Sequence, residues 1–127
     1  MKLTKKQRAE LREKFGGRCA YCGVDLPERW HADHYEAVKR GVSSYFTGRD
    51  ALHPENHRME NMMPSCPPCN ISKGSMSLEV WREWLAGHVN SLNAYHPIYR
   101  LAKAYGLIQE TGEPVVFYFE KFGHRQA

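Results

Sequence analysis

A chain of 127 residues, of which 42% are apolar and 12% aromatic, is long enough for one compact domain and too short for two ordinary ones. No apolar run reaches membrane-spanning length, and residues 1–15 lack the apolar centre and cleavage site of a signal peptide. We therefore expect a cytoplasmic protein with no membrane partner. The net charge of +4 lies at one end, because residues 1–18 carry seven Lys or Arg against two Glu and the rest nets −1.

A short basic helix is the first predicted element. Thr4 and Gln7 have the spacing of a capping box, and Gly16 with Gly17 is expected to end the helix. Lys and Arg beside DNA gain affinity by releasing counterions, whereas the same charges on a free helix are only a solvated face. The charge run alone does not decide between these alternatives. The candidate DNA-binding residues of this helix are Lys5, Lys6, Arg8 and Arg12.

All four cysteines occur in two pairs of one form, "CAYC" (Cys19, Cys22) and "CPPC" (Cys66, Cys69). In a chain with no secretion signal, paired C-x-x-C motifs favour thiolate ligation of zinc over disulfides. Four thiolates complete the shell of a structural zinc site, although a redox role or unligated thiols stay open. A plain zinc ribbon separates its pairs by roughly 15 to 20 residues. Here 43 residues separate Cys22 from Cys66, which indicates a structural unit inserted between the pairs.

The inserted unit reads as strand, long loop, strand and short helix. Residues 29–38 alternate in polarity and predict a strand, and residues 39–58 hold the glycines, serines and scattered charges of a loop. Residues 59–66, "MENMMPSC", predict the second strand. The helix is expected to begin at Pro67, where a missing amide donor costs little, and to end at Gly74.

Beyond residue 74 the pattern predicts helices and a last strand. Ser77 can cap a longer helix, whose apolar residues recur at helical spacing. These residues are Leu78, Trp81, Leu85, Val89 and Leu92. Pro97 fits the start of another helix, and "PVVFYFEKF" predicts a final strand. The expected fold is α+β in a single domain, 1–127, made of a basic helix (1–18), a core with both cysteine pairs (19–74) and a helical extension (75–127).

Three stretches together resemble the HNH endonucleases: "CAYCGVDL", "HADHYEAVKRG" and "HPENHRMENMMPSCPPCNISKG". Within that family the chain is similar to the subgroup in which two C-x-x-C zinc knuckles bracket the catalytic unit. The resemblance covers about residues 15–74, and the joint order of the motifs makes it specific. It implies a small zinc-stabilised ββα-metal core, also called a His-Me finger, with flanking helices. Residues 75–127 look like the extension of some phage-type members.

The resemblance also implies a role for each matching residue. Asp33 matches the metal-binding carboxylate, His34 the general base, Asn61 the residue that orients the base, and Asn70 the final metal ligand. The family often has His at that last position, so the chain is an H-N-N variant. Lys73 is a candidate phosphate contact from the short helix.

The implied activity is metal-dependent hydrolysis of DNA, most simply double-stranded, leaving 5′-phosphate and 3′-hydroxyl ends. A neutral imidazole can accept a proton from water near pH 7, and two hard oxygen ligands favour Mg²⁺ or Mn²⁺. Two alternatives are a noncatalytic zinc-stabilised nucleic-acid-binding module and a redox protein that uses "CPPC". The sequence leaves open the site preference, nicking or double-strand cleavage, the oligomeric state, membership of a larger assembly, and the roles of His31, His53 and His57.

Overall fold

The computed structural model describes residues 3–34 and 59–122. The predicted loop over residues 39–58, the last four residues of the predicted first strand (35–38), and His53 and His57 all lie outside the described residues. The chain divides into two compact units, one formed by Met1–Leu78 with Val116–Ala127 and the other by Glu79–Val115. Whether the chain acts as a single domain stays a prediction.

Helix α1 (Lys5–Arg12) begins as the capping box predicts. The Thr4 hydroxyl accepts a hydrogen bond from the amide of Gln7, and the Gln7 side chain accepts one from the amide of Thr4. Leu11 is its buried residue. The helix ends at Arg12, before the glycines that were expected to end it, and residues 13–17 form turns.

Two short antiparallel strands form the sheet of the first unit. Strand β1 (His31–His34) pairs with β2 (Met62–Ser65), and the register places Asp33 opposite Met63 and His34 opposite Met62. The second strand is shorter than predicted, because Met59–Asn61 forms a 3₁₀ turn that leads into β2. All four residues of β2 are buried. Strand β2 therefore lies inside the first unit, and its start is beside the end of β1.

Helix α2 (Pro67–Lys73) follows β2 directly and confirms the predicted helix. Prolines occupy its first turn, Cys66 is its N-terminal cap residue, and Gly74 ends it with a φ of 53°. Gly74 suits this position because a side chain disfavours positive φ. Helix α2 contacts β1. The chain thus has a mixed helix and strand fold with the order β1, β2, α2.

The first cysteine pair lies in a tight loop against the other edge of β2. The amide of Ala20 donates to the carbonyl of Pro64 at 2.8 Å, and the amide of Cys19 donates to the carbonyl of Val24 at 2.8 Å. Gly23 has a φ of 81°, and a Cβ built on it would lie 3.0 Å from the ring of Tyr118. A side chain there would be strained by the backbone and would collide with that ring.

The predicted final strand is wrong. Residues 114–117 have no regular structure, and α6 (Tyr118–Lys121) is a single helical turn. The aromatic side chains of Phe117 and Phe119 pack against Tyr21 in the first cysteine loop, residues 19–22. The amides of Tyr118 and Phe119 donate to the carbonyls of Tyr21 and Ala20 at 2.9 and 2.8 Å. We call residues 117–122 the returning segment.

Three helices, α3 (Leu78–Ala86), α4 (His88–Tyr95) and α5 (Pro97–Ala104), account for most of the second unit. The start at Pro97 confirms the prediction, whereas the longer predicted helix is broken at Gly87. Glycine is a poor residue for a helix interior because it has more backbone freedom to lose.

In the part of the chain that the structure describes, every helix is too short or too polar to span a lipid bilayer.

Candidate functional site

The four cysteines meet in one cluster, as the sequence predicts. Their sulfur atoms all lie within 4.8 Å of one another, and the Sγ atoms of Cys22 and Cys66 are 3.7 Å apart. A tetrahedral zinc ion with sulfurs at about 2.3 Å separates those sulfurs by about 3.8 Å. The cluster therefore has the size and the donor chemistry of a four-cysteine metal site.

The surroundings of the cluster favour one thiolate. The amides of Tyr21 and Cys66 each donate to the Sγ of Cys19 at 3.4 Å. A hydrogen bond from Cys69 and these amides lower the pKa of Cys19 to about 4, against the opposing effect of burial. Burial raises the pKa of Cys22 to about 11. The hydrogen bond to Cys19 and burial raise the pKa of Cys69 as well.

Asp33 is the centre of a second polar group in the first unit. Its side chain is buried, and its Oδ2 accepts a hydrogen bond from the Tyr21 hydroxyl at 2.5 Å. The same oxygen lies 3.2 Å from Nζ of Lys73, which also donates to the carbonyl of His34 at 2.9 Å. Burial, followed by the charge of Asp33, raises the pKa of Tyr21, so this phenol remains a donor at any working pH.

Lys73 is not the surface phosphate contact that the sequence suggested. Its exposed fraction is 0%, and its ammonium is enclosed between Asp33 and the backbone of β1. A buried lysine needs a compensating charge, and the Asp33 carboxylate supplies it. Lys73 therefore joins α2 to β1 and is not accessible to a docked nucleic acid.

The other predicted catalytic residues belong to neighbouring elements. His34 is half-buried at the end of β1, and Asn61 is buried directly before Met62, the register partner of His34. Asn70 is half-buried in α2, three residues before Lys73, a spacing that puts both on one side of the helix. The fold thus places Asp33, His34 and Asn61 at the end of β1, and Asn70 lies one helical turn along α2 from the Lys73 that contacts Asp33. His31 is exposed on the same strand.

The four basic residues of α1 divide into two kinds. Lys5 and Lys6 are exposed. Arg8 is half-buried, with its guanidinium 4.0 Å from the ring centroid of Trp30 and donating to the carbonyl of that residue at 2.8 Å. Arg12 is also half-buried and donates to the carbonyl of Leu26 at 3.2 Å. The two arginines join α1 to the segment that leads into β1, and a contact of either one to DNA stays a prediction.

Two residues with structural roles at the site were missed by the sequence analysis. Tyr21 occupies a variable position of its C-x-x-C motif, and nothing local indicates that it would reach Asp33. Lys14 donates from its Nζ to the carbonyl of Met62 at 2.9 Å, and burial lowers its pKa against the opposing charge of Glu60. The excess of positive charge in this region does not distinguish Lys14 from the exposed lysines.

No family model matches this chain, and no curated protein or solved structure matches it either. The function must therefore be argued from the residues and their geometry.

Proposed function

We propose that the chain is a metal-dependent DNA endonuclease of the HNH kind, which hydrolyses phosphodiester bonds to leave 5′-phosphate and 3′-hydroxyl ends. The contact between Lys73 and Asp33 carries the proposal, because it brings α2 against the end of β1. The order β1, β2, α2, next to a four-cysteine cluster, fits a zinc-stabilised ββα-metal core. His34 follows Asp33 in the chain, and Asn70 lies one helical turn from Lys73.

In this proposal His34 is the general base that removes a proton from the attacking water. A neutral imidazole suits the task near pH 7 because its ordinary pKa is about 6.5. Asn61 acts directly before β2, next to Met62, the register partner of His34, where a buried amide can fix the orientation of the base through hydrogen bonds. Both residues then contribute positioning and proton transfer without a covalent intermediate.

The donor chemistry fits two different metal ions. Four thiols at zinc-like separations suit a structural zinc ion, which would supply folding free energy. Asp33 and Asn70 offer a carboxylate and an amide oxygen, the hard ligands that Mg²⁺ and Mn²⁺ prefer. Such an ion supplies neutralisation of charge on the phosphate and on the departing oxygen. Asp33 and Asn70 would hold that ion while His34 handles the proton.

The exposed lysines of α1 are the best candidates for contacts to the DNA backbone. Lys5 and Lys6 carry their charges to solvent, within a segment that has a local excess of positive charge. Contacts of this kind provide affinity without reading sequence. Double-stranded DNA is the proposed substrate, and a cytoplasmic location stays a prediction from the sequence.

One observation favours a second function, a noncatalytic zinc-stabilised nucleic-acid-binding module. Asp33 already has two partners, and a buried Lys–Asp pair is sufficient reason for a buried carboxylate. In that case Asp33 and Lys73 only join β1 to α2, and His34 has no chemical task. The exposed lysines and the cysteine cluster serve this alternative equally well.

Cleavage of supercoiled plasmid by the zinc-loaded chain tests the choice. His34→Ala should lose roughly 10²- to 10⁴-fold in rate, the usual contribution of positioned proton transfer, and added Mg²⁺ or Mn²⁺ should not restore it. Asp33→Ala should lose activity that is partly recovered at high divalent metal, because it removes a ligand and leaves the base. Zinc content and DNA affinity are measured for each variant as controls.

The results divide the two functions. No cleavage by the wild-type chain with any divalent metal, together with retained DNA binding, would favour the binding module. Cleavage by His34→Ala at the wild-type rate would remove His34 as the base. Loss of zinc in either variant would show that the substitution had damaged the fold, so His34→Gln and Asp33→Asn, each of similar size to the residue it replaces, are prepared in parallel.

A further inference from the structure

Both polar neighbours of Asp33 contact the same oxygen. The Tyr21 hydroxyl donates to Oδ2 at 2.5 Å, and the Lys73 ammonium lies 3.2 Å from that atom. Within the described residues no hydrogen bond to Oδ1 accompanies these two contacts to Oδ2. The carboxylate therefore has one oxygen held from two sides and one oxygen left to another ligand.

We propose that Tyr21 and Lys73 are positioning residues, which hold Oδ2 of Asp33 so that Oδ1 remains to ligate the divalent ion. This inference rests on the proposed function, since it assigns a task to residues around the same metal site. Second partners of a metal-binding carboxylate fix its rotation, and their loss typically weakens metal binding by 10- to 100-fold. Neither residue touches the ion or the substrate in this arrangement.

The two positioning residues act from different parts of the first unit. Tyr21 lies between Cys19 and Cys22, so its hydroxyl is carried by the first cysteine loop. Its ring packs edge-on against Phe117 of the returning segment, with centroids 5.8 Å apart. Lys73 comes from the last turn of α2. The Tyr21 phenol thereby couples the proposed structural metal to the proposed catalytic metal. Binding of zinc would order the first cysteine loop, and that loop carries the hydroxyl that donates to Asp33.

Tyr21→Phe is the sharpest test, because it removes only the hydroxyl. Phenylalanine keeps the ring contacts of Tyr21, and Lys73 still balances the charge of Asp33, so the fold should persist. Binding of Mn²⁺ to the zinc-loaded chain, followed by electron paramagnetic resonance, measures the site without any need for cleavage. We expect Tyr21→Phe to weaken Mn²⁺ binding about tenfold with its zinc content unchanged.

Two further chains make the result specific. Tyr99→Phe is a matched control, because the Tyr99 hydroxyl donates to the carboxylate of Glu110 at 2.8 Å in the second unit, and it should bind Mn²⁺ as the wild type does. Tyr21→Phe is also made in the Asp33→Ala chain. If Tyr21 acts through Asp33, the hydroxyl should contribute nothing further to Mn²⁺ binding once that carboxylate is gone.

Each result that differs from these expectations rejects a particular part of the proposal. Unchanged Mn²⁺ binding in Tyr21→Phe would overturn the positioning role while leaving the nuclease proposal intact. An equal weakening in the Asp33→Ala background would indicate general loosening and overturn it too, as would loss of zinc from Tyr21→Phe. Wild-type Mn²⁺ affinity in Asp33→Ala would reject the metal ligand itself, and the inference would fall with the proposed catalytic site.

Discussion

Replacing Lys73 by methionine should be among the most damaging single changes in the first unit. Methionine keeps much of the length and volume of the side chain but leaves Asp33, 8% exposed, as a buried carboxylate without its cation. The ammonium makes two close contacts, at 3.2 Å to Asp33 and 2.9 Å to the carbonyl of His34. Removing one partner of a buried pair costs about 3–5 kcal/mol. Because the Tyr21 hydroxyl remains, we expect the free energy of unfolding to fall by about 3 kcal/mol.

Urea unfolding followed by ¹⁹F NMR of fluorotryptophan-labelled protein measures the loss where it occurs, because Trp30 reports the first unit. Free zinc is held constant, since a bound ion adds to apparent stability. Lys103→Met is the control: that lysine is exposed, lies 3.1 Å from Glu110, and should change stability by no more than about 1 kcal/mol.

Combining Lys73→Met with Asp33→Asn should recover much of the loss, because no uncompensated charge is then buried. The cost of the double variant should therefore be smaller than the sum of its two single costs, by about 2 kcal/mol. A Lys73→Met chain as stable as the control, or strictly additive costs, would refute the buried-pair account.

Zinc affinity should rise steeply with pH. The pKa of Cys22 is raised to about 11 and the pKa of Cys69 is raised as well, so both thiols are protonated near neutrality. Each of them must lose its proton when zinc binds. Competition with a chromophoric chelator from pH 6 to 8 should show a change of about a hundredfold per pH unit or more; a pH-independent affinity would contradict the assignment. Replacing Lys5 and Lys6 with glutamine should lower DNA affinity and reduce the salt slope by about 1 to 2. Arg8→Gln should mainly lower stability, since its guanidinium lies against the protein.

Local patterns in the sequence were sufficient for the elements that local chemistry determines. The capping box at Thr4, the proline start of α2 and the start of α5 at Pro97 each depend on a few adjacent residues. The cysteine cluster was also predictable, because two C-x-x-C pairs have few other uses in such a chain. These are the features whose physical cause lies within one turn or one motif.

What failed depends on partners that are distant in sequence. Residues 114–122 have the aromatic and β-branched composition of a strand, but the segment packs on the first cysteine loop and ends in a single helical turn. The sequence suggests a surface cation at Lys73, because lysine is rarely buried, and only the fold shows its carboxylate partner. The role of Tyr21 was likewise invisible, since its hydrogen bond to Asp33 joins a loop to a strand.

The returning segment has a consequence for the order in which the protein is made. Synthesis releases the first cysteine pair, β1, β2 and α2 before the whole second unit, and the returning segment emerges only after that unit. Until then the ring of Tyr21 has neither Phe117 nor Phe119 against it. The long loop between residues 21 and 117 has not yet closed, and its closure costs chain entropy. A nascent chain that already contains Asp33, His34 and all four cysteines is therefore still without the packing that covers its first cysteine loop, because that packing can form only after the returning segment has been made.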